Sequence, residues 1–199
     1  GLREVTGTPD SSTCASGTTA RTIALPPLKD DPDLLSALKI GWSASRRIFH
    51  IWGGLGGRVD HTISNIQLMA LLAKHGGTGY LHGDGTVVTS ICDGRLSFPA
   101  HRVRESGRMV SVFSHSDVSR DVNEIGFKYE LRHGDLANTV VQGVSNEFRD
   151  GVPASIAVQR GTLIVTFPAE VPTPGVSRFH GFTGDLGALD TEISKSLVS

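Results

Sequence analysis

Gly53-Gly54-Leu55-Gly56-Gly57-Arg58-Val59-Asp60-His61 lies between an apolar run, Ile48 to Trp52, and an amphipathic run, Ile63 to Leu72. The order reads as strand, glycine-rich loop, helix. Such a loop lets backbone N–H groups approach an anion, and the following helix start favours negative charge. Arg58 adds a planar donor fork that suits phosphate. Three tasks are open to Asp60: capping the helix, binding a metal ion, or orienting a hydroxyl. The loop also reads as nothing more than a tight turn.

Working outward, Ile48 to Trp52 predicts a strand short enough to be buried in a parallel sheet. Ile63, Ile66, Met69, Leu71 and Leu72 form the stripe of the helix after the loop, with Lys74 and His75 in its last turn and Gly76 as its stop. Upstream, Asp31 reads as an N-cap with Pro32 at the first helical position and Asp33 in the first turn. Leu34, Leu35, Leu38 and Trp42 give that helix an apolar face. Thr22 to Leu25 is a short strand, and residues 1–21, rich in Gly, Ser and Thr, read as loop. Trp42 and Trp52 both read as core.

Beyond about residue 79 the helical period stops. Short apolar segments recur between turn residues: Thr86 to Ile91, Arg95 to Phe98, Met109 to Phe113, Ile125 to Tyr129, Ile156 to Gln159 and Leu163 to Phe167. This spacing predicts an all-β sandwich or barrel. The change predicts an α/β domain over 1–82, a β-sandwich over 83–172, and a tail over 173–199 that holds at most a short helix.

Composition removes several function classes. The chain has 199 residues, 38% of them apolar, and a net charge of -1. That supports a folded core and provides no concentrated basic face for nucleic acid. No apolar run approaches the roughly 18 residues of a membrane span. Cys14 and Cys92 lack metal-site spacing and read as two reduced thiols in a cytoplasmic protein.

Three clusters carry chemistry in the first domain: Gly7-Thr8-Pro9-Asp10-Ser11, Lys29-Asp30-Asp31-Pro32-Asp33, and Gly56-Gly57-Arg58-Val59-Asp60-His61. Carboxylates beside Lys and Arg at the ends of parallel strands suit Mg²⁺ and polyphosphate. Each also has a plainer reading, as helix caps at Asp31 and Asp33 or as a turn at Asp10.

Taken in order, these clusters resemble a family. The run GGLGGRVDHTISNIQL resembles the thiamine pyrophosphokinase signature GGxGGRxDHxxxNIxLL, KDDPD resembles its KDDTD motif, and GTPDSS stands at the place of its GDFDS. Glu124 to Leu131 resembles its GLKYPL segment, and Gly143-Val144-Ser145-Asn146-Glu147 matches its GxSNE motif. Thr8 replaces the first Asp of GDFDS and removes one expected metal ligand. Pro32 replaces the Thr of KDDTD. The family's first strand and its ADGG-like segment have no counterpart here.

The resemblance implies a thiamine pyrophosphokinase, which transfers pyrophosphate from ATP to the hydroxyl of thiamine and yields thiamine diphosphate and AMP. The fold it implies is an α/β nucleotide-binding domain, lacking its first segment, followed by an all-β sandwich that binds thiamine. It implies a homodimer with thiamine between the α/β domain of one subunit and the sandwich of the other. By the same resemblance, Asp10 and Asp33 hold Mg²⁺. Lys29, Asp30, Gly56, Gly57 and Arg58 contact ATP. Asp33, Asp60, Asn65, Ser145 and Asn146 contact thiamine, and Asp10, Asp33, Arg58 and Asp60 are catalytic. Glu147 is expected to be structural, paired to backbone or a basic residue. The alternative is a thiamine- or nucleotide-binding homologue without catalysis, acting as a sensor or subunit.

Overall fold

The computed structural model describes residues 5–7, 22–24, 31–104 and 107–189. The chain falls into two units, residues 1–46 with 185–199, and residues 47–184. In the first unit, β1 (Val5–Gly7) pairs in parallel with β2 (Thr22–Ala24). β2 lies where a strand was expected, whereas β1 interrupts the stretch expected to be loop. Helix α1 (Asp33–Ser43) starts one residue after the expected position. Pro32 is the N-cap, and its carbonyl accepts the first helical bond from the Ser36 N–H. Asp31 does not cap the helix, because its carboxylate pairs with Lys39 Nζ at 2.5 Å. Leu38 and Trp42 are buried, as their spacing predicts.

The second unit begins with the βαβ element that the glycine-rich loop predicts. β3 (Ile48–Trp52) and β4 (Thr78–Gly83) run parallel, joined through helix α2 (Val59–Lys74). The helix buries Leu68, Met69, Ala70, Leu72 and Ala73, so its C-terminal half is the packed half; Ile63, expected in the stripe, is exposed. Gly76 follows the C-cap His75 with φ +83°, the left-handed stop the sequence predicts.

β3 is not the buried strand expected. Among the described residues it pairs with β4 alone, and its residues alternate between exposed and half-buried. Trp52, expected in the core, is 71% exposed. Its ring stacks on His82 of β4 at 4.6 Å, a cross-strand pair on the open face of the sheet.

β4 turns at Asp84-Gly85 into β5 (Thr86–Phe98), which pairs along its length with β10 (Ala154–Pro168). These two long strands replace four short expected ones. In each, the break expected from the sequence falls inside one continuous strand. The register shifts between Val158 and Thr162, and at the bend the Gly161 N–H donates to Asp93 Oδ1 at 2.7 Å. The bend lets β10 serve two neighbours. Its first half pairs with β7 (Val118–Ile125) and its second half with β6 (Met109–Ser114).

Beyond β6 lies the short β9 (Asn146–Glu147), and beyond β7 lies β8 (Leu131–Ala137). β11 (Gly175–Arg178), in the expected tail, pairs with the far half of β5. The strand expected over Ile125 to Tyr129 ends at Ile125, because Gly126 takes φ +85° and opens a turn through Glu130. Buried Phe98 meets Phe127, Phe148 and Phe167 edge-on at 5.1 to 6.4 Å, at the centre of the apolar core.

The described chain is thus mostly β-sheet with two α-helices. Among the described residues no helix is long and apolar enough to cross a membrane. Cys92 is a buried free thiol, and Cys14 lies outside the described residues.

Candidate functional site

The glycine-rich loop leaves the exposed end of β3 and enters α2 with Arg58 as N-cap. Gly56 and Gly57 take φ +82° and +67°, a region that residues with side chains rarely adopt. Asn65 braces the loop: its Nδ2 donates to the Gly54 carbonyl at 2.9 Å. At the helix start, the Arg58 fork closes on Asp60, with Nε 3.1 Å from Oδ1 and Nη2 2.5 Å from Oδ2. The His61 N–H donates to Asp60 Oδ1 as well, at 3.0 Å. The hydrogen bond from Arg58 holds the Asp60 carboxyl below the usual carboxylate range. Paired in this way, Asp60 is a weak base, although its carboxylate can accept a hydrogen bond from a hydroxyl.

A second carboxylate, Asp84 on the β4–β5 turn, stands beside this loop. Its Oδ2 is 3.0 Å from where a Cβ on Gly56 would lie. The Asp-Gly pair is an ordinary hairpin signal, and nothing local in the sequence marks Asp84 as a neighbour of Gly56. Among the described residues no group of three His, Cys, Asp or Glu side chains converges on a point that would hold a metal ion.

The second cluster is a cavity of about 350 Å³, lined by Glu124, Tyr129, Leu131, Leu136, Val144 and Ser145 among others. Its wall is built from two segments that the sequence separates. The Gly143 carbonyl accepts from Val112 N–H at 2.8 Å, and the Ser145 N–H donates to Ser111 Oγ at 3.1 Å, so β6 anchors the turn. Ser145 sits at φ +62°, an uncommon conformation for a residue with a side chain, of the kind that gathers at ligand sites.

Asn146 is buried, and its amide is fully engaged. Oδ1 accepts from the backbone N–H groups of Tyr129 (3.1 Å) and Glu147 (2.9 Å). Nδ2 donates to the Tyr129 carbonyl (2.7 Å) and to Glu124 Oε2 (3.1 Å). Glu147 pairs with Lys128 Nζ at 2.6 Å and with Arg108 Nη1 at 3.4 Å, the basic partners its structural reading called for. The Ser-Asn-Glu motif therefore staples the Gly126–Leu131 segment to β9.

Two carboxyl groups line this cavity, and their surroundings shift them in opposite directions. Glu130 accepts from the Gly126 N–H and from Arg132, and the first of these holds it below its ordinary range. Glu124 is buried on β7, and burial pushes its carboxyl up against the opposing effect of Asn146. Sequence reasoning missed Glu124. The available signal was the alternation along β7, which sets Glu124 on the same inward face as Val122.

The structure brings Gly56, Gly57, Arg58, Asp60 and Asn65 together around the start of α2, and Ser145 and Asn146 together at the cavity. In the sheet path, β4, β5, β10 and β6 lie between β3, which leads into the loop, and β9, which carries Asn146. Asp33 belongs to the first unit, as the first residue of α1. Asp10, Lys29 and Asp30 lie outside the described residues.

No protein-family model matches the sequence, and no curated protein matches it. Solved structures do. A thiamine pyrophosphokinase from Bacillus subtilis is 24% identical, with a TM-score of 0.66 over 77% of this chain and 68% of its own. A thiamin pyrophosphokinase from Geobacillus thermodenitrificans is 21% identical, with a TM-score of 0.63 over the same shares. A thiamin pyrophosphokinase family protein from Enterococcus faecalis is 20% identical, with a TM-score of 0.61 over 75% of this chain and 69% of its own. At these identities the likeness is one of architecture: the chain has the fold of the thiamine pyrophosphokinases.

Proposed function

We propose that the chain is a thiamine pyrophosphokinase that moves a pyrophosphoryl group from ATP to the hydroxyl of thiamine. The observation that carries this reading is the joining of the Lys128-Tyr129 turn and the Ser-Asn-Glu motif into one cavity wall, within a fold shared with thiamine pyrophosphokinases.

In this reading the hydroxyl oxygen of thiamine attacks the β-phosphorus of ATP, and the bond from that phosphorus to the bridging oxygen of AMP breaks. The hydroxyl proton passes to Asp60 or, through it, to water. Arg58 links the two events. A polyphosphate competes with Asp60 for the guanidinium fork, since both are bidentate acceptors. Once Arg58 turns to phosphate, the contact that depresses the Asp60 carboxyl is gone, and Asp60 becomes the stronger base as the substrate arrives. Gly57, where a Cβ would meet nothing within 4 Å, leaves room for phosphate oxygens at the helix start, with Gly56 beside it. Lys29 and Asp30 complete the nucleotide contacts. Mg²⁺ would neutralise polyphosphate charge, with Asp10 and Asp33 as its proposed ligands.

The acceptor lies in the cavity walled by Ser145 and Asn146, with Asn65 bracing the loop opposite. The division into an α/β nucleotide domain and a β-sandwich, the homodimer and the cytoplasmic setting belong to the same proposal. A shared site is supported by the four strands between the loop and the Ser-Asn-Glu motif. It is supported as well by Tyr129, Val141 and Val144, exposed on or next to the cavity wall.

The test is direct. ATP, Mg²⁺ and thiamine are incubated with the chain, and AMP and thiamine diphosphate are measured by chromatography. Equal formation of both is the expected result. The Arg58–Asp60 pair, closed on itself, favours a second reading, a homologue that binds thiamine without transfer. Thiamine binding without either product would establish that one instead.

A further inference from the structure

We infer that Glu124 is the residue that reads the ligand's heterocycle in this cavity, by accepting a hydrogen bond from an amino group on the ring, with Asn146 as the positioning residue behind it. The inference rests on the acceptor reading above and assigns its chemistry to a side chain outside the Ser-Asn-Glu motif.

The argument is one of hydrogen-bond capacity. Both lone pairs of Asn146 Oδ1 and both hydrogens of Nδ2 are engaged inside the protein. A ligand contact by that amide would leave a buried backbone group unpaired, which is costly. Glu130 has a partner on each oxygen, the Gly126 N–H on Oε1 and Arg132 on Oε2. Glu124 differs. It is 3% exposed and lines the cavity, and among the described residues its side-chain hydrogen bond goes to one oxygen, Oε2, from Asn146. A carboxylate offers about four acceptor sites, so Oε1 has acceptor capacity to offer a ligand.

Burial that raises the Glu124 carboxyl is the ordinary cost of holding an acid in an apolar place. A donor from the ligand offsets that cost. The Asn146 contact fixes the direction of the carboxyl, because Asn146 is itself held at three other points.

The rest of the lining sets the ligand class. Leu131, Leu136, Val144 and the ring of Tyr129 supply apolar walls for a flat ring. Two carboxyl groups in one small cavity repel phosphate, so this cavity takes the heterocycle end of a substrate and leaves its phosphate-accepting end outside. An aminopyrimidine, flat and with an amino donor at its edge, has the required chemistry.

Calorimetric titration tests this without any transfer step. The ligands are thiamine and desamino thiamine, in which hydrogen replaces the amino group of the pyrimidine. The proteins are the unaltered chain and Glu124→Gln, with thermal melting to show that the variant is folded. The unaltered chain should prefer thiamine by about tenfold or more, the scale of a charged hydrogen bond. In Glu124→Gln that preference should shrink through weaker thiamine binding, with the desamino compound unchanged. Equal binding of both ligands by the unaltered chain overturns the role of Glu124 and leaves the acceptor reading intact. So does thiamine binding that Glu124→Gln leaves unchanged. No binding of thiamine by the unaltered chain overturns both. Selective binding with no AMP formed upholds Glu124 and removes only the transfer reaction.

Discussion

In the glycine-rich loop, Arg58 and Asp60 face each other in the open, each well exposed to water. Around the cavity, buried Asn146 and half-buried Glu147 are held by partners from β7 and the Gly126–Glu130 turn. Both regions are turns with charged motif residues, but they differ in what those residues are free to do. An exposed pair closed on itself contributes little to stability and opens readily for a competing anion. A buried amide with every hydrogen bond filled holds the backbone and has nothing left for a ligand. Motif residues of the first kind are free to act on a ligand. Those of the second kind build a wall, and a ligand contact there would pass to a neighbour.

Replacements at the two regions should separate these roles. The largest effect is expected at Asp60. Asp60→Asn removes the proton acceptor without changing shape, so turnover should fall by about a hundredfold or more while melting is unchanged. Near-normal turnover in a steady-state assay would take Asp60 out of the mechanism.

Next come the glycines. A Cβ at Gly143 would stand 2.2 Å from the Val112 carbonyl oxygen, whereas one at Gly57 meets nothing within 4 Å. Both have positive φ. Urea unfolding of Gly143→Ala should show a loss of about 3 kcal/mol, and that of Gly57→Ala about 1 kcal/mol, the cost of the left-handed backbone alone. In turn, Gly57→Ala should impair nucleotide use more than stability. Equal losses would erase the distinction between a packed turn and an open one. Asn146→Ala should cost about 2 kcal/mol, since water can reach some of the groups it leaves unpaired. A loss of thiamine affinity with no loss of stability would return the ligand contact to Asn146.

What the sequence disclosed follows how local each cause is. The path from β3 through the loop to α2 was legible, because glycine placement and helix-start chemistry act within a few residues. The bent strands β5 and β10 each read as two, because Asp93-Gly94 and Arg160-Gly161 carry turn residues that serve as bends bonded across the pair. β8 was missed because Leu-Arg-His-Gly-Asp-Leu-Ala has too few apolar residues, and its pairing with β7 supplies what propensity does not. Trp52 was placed in the core on size alone, although its exposure depends on which strands flank β3. At the site, the choice of Ser145 and Asn146 came from motif resemblance. That the Asn146 amide is full, and that Glu124 lies beneath it, depends on four hydrogen bonds to three residues up to 22 positions away, and no local pattern encodes that count.

The smallest expected effect sharpens the contrast from the acid side. Burial raises the Glu124 carboxyl in the folded chain above its unfolded value. A folded state that binds its proton more tightly is favoured as pH falls, so the contribution of Glu124 is fully present below the unfolded value and is lost as pH rises through the folded one. Glu130 and Glu147 are shifted the other way, by the Gly126 N–H and by Lys128 respectively, and both lose stabilisation as pH falls. The total slope therefore mixes opposing groups, and the difference between the unaltered chain and Glu124→Gln isolates the one. Melting measured from neutral to mildly acid pH should show the variant gaining on the unaltered chain as pH rises. A difference that stays flat with pH would mean that Glu124 titrates as an ordinary surface acid, and that the cavity floor is as open to water as the loop around Asp60.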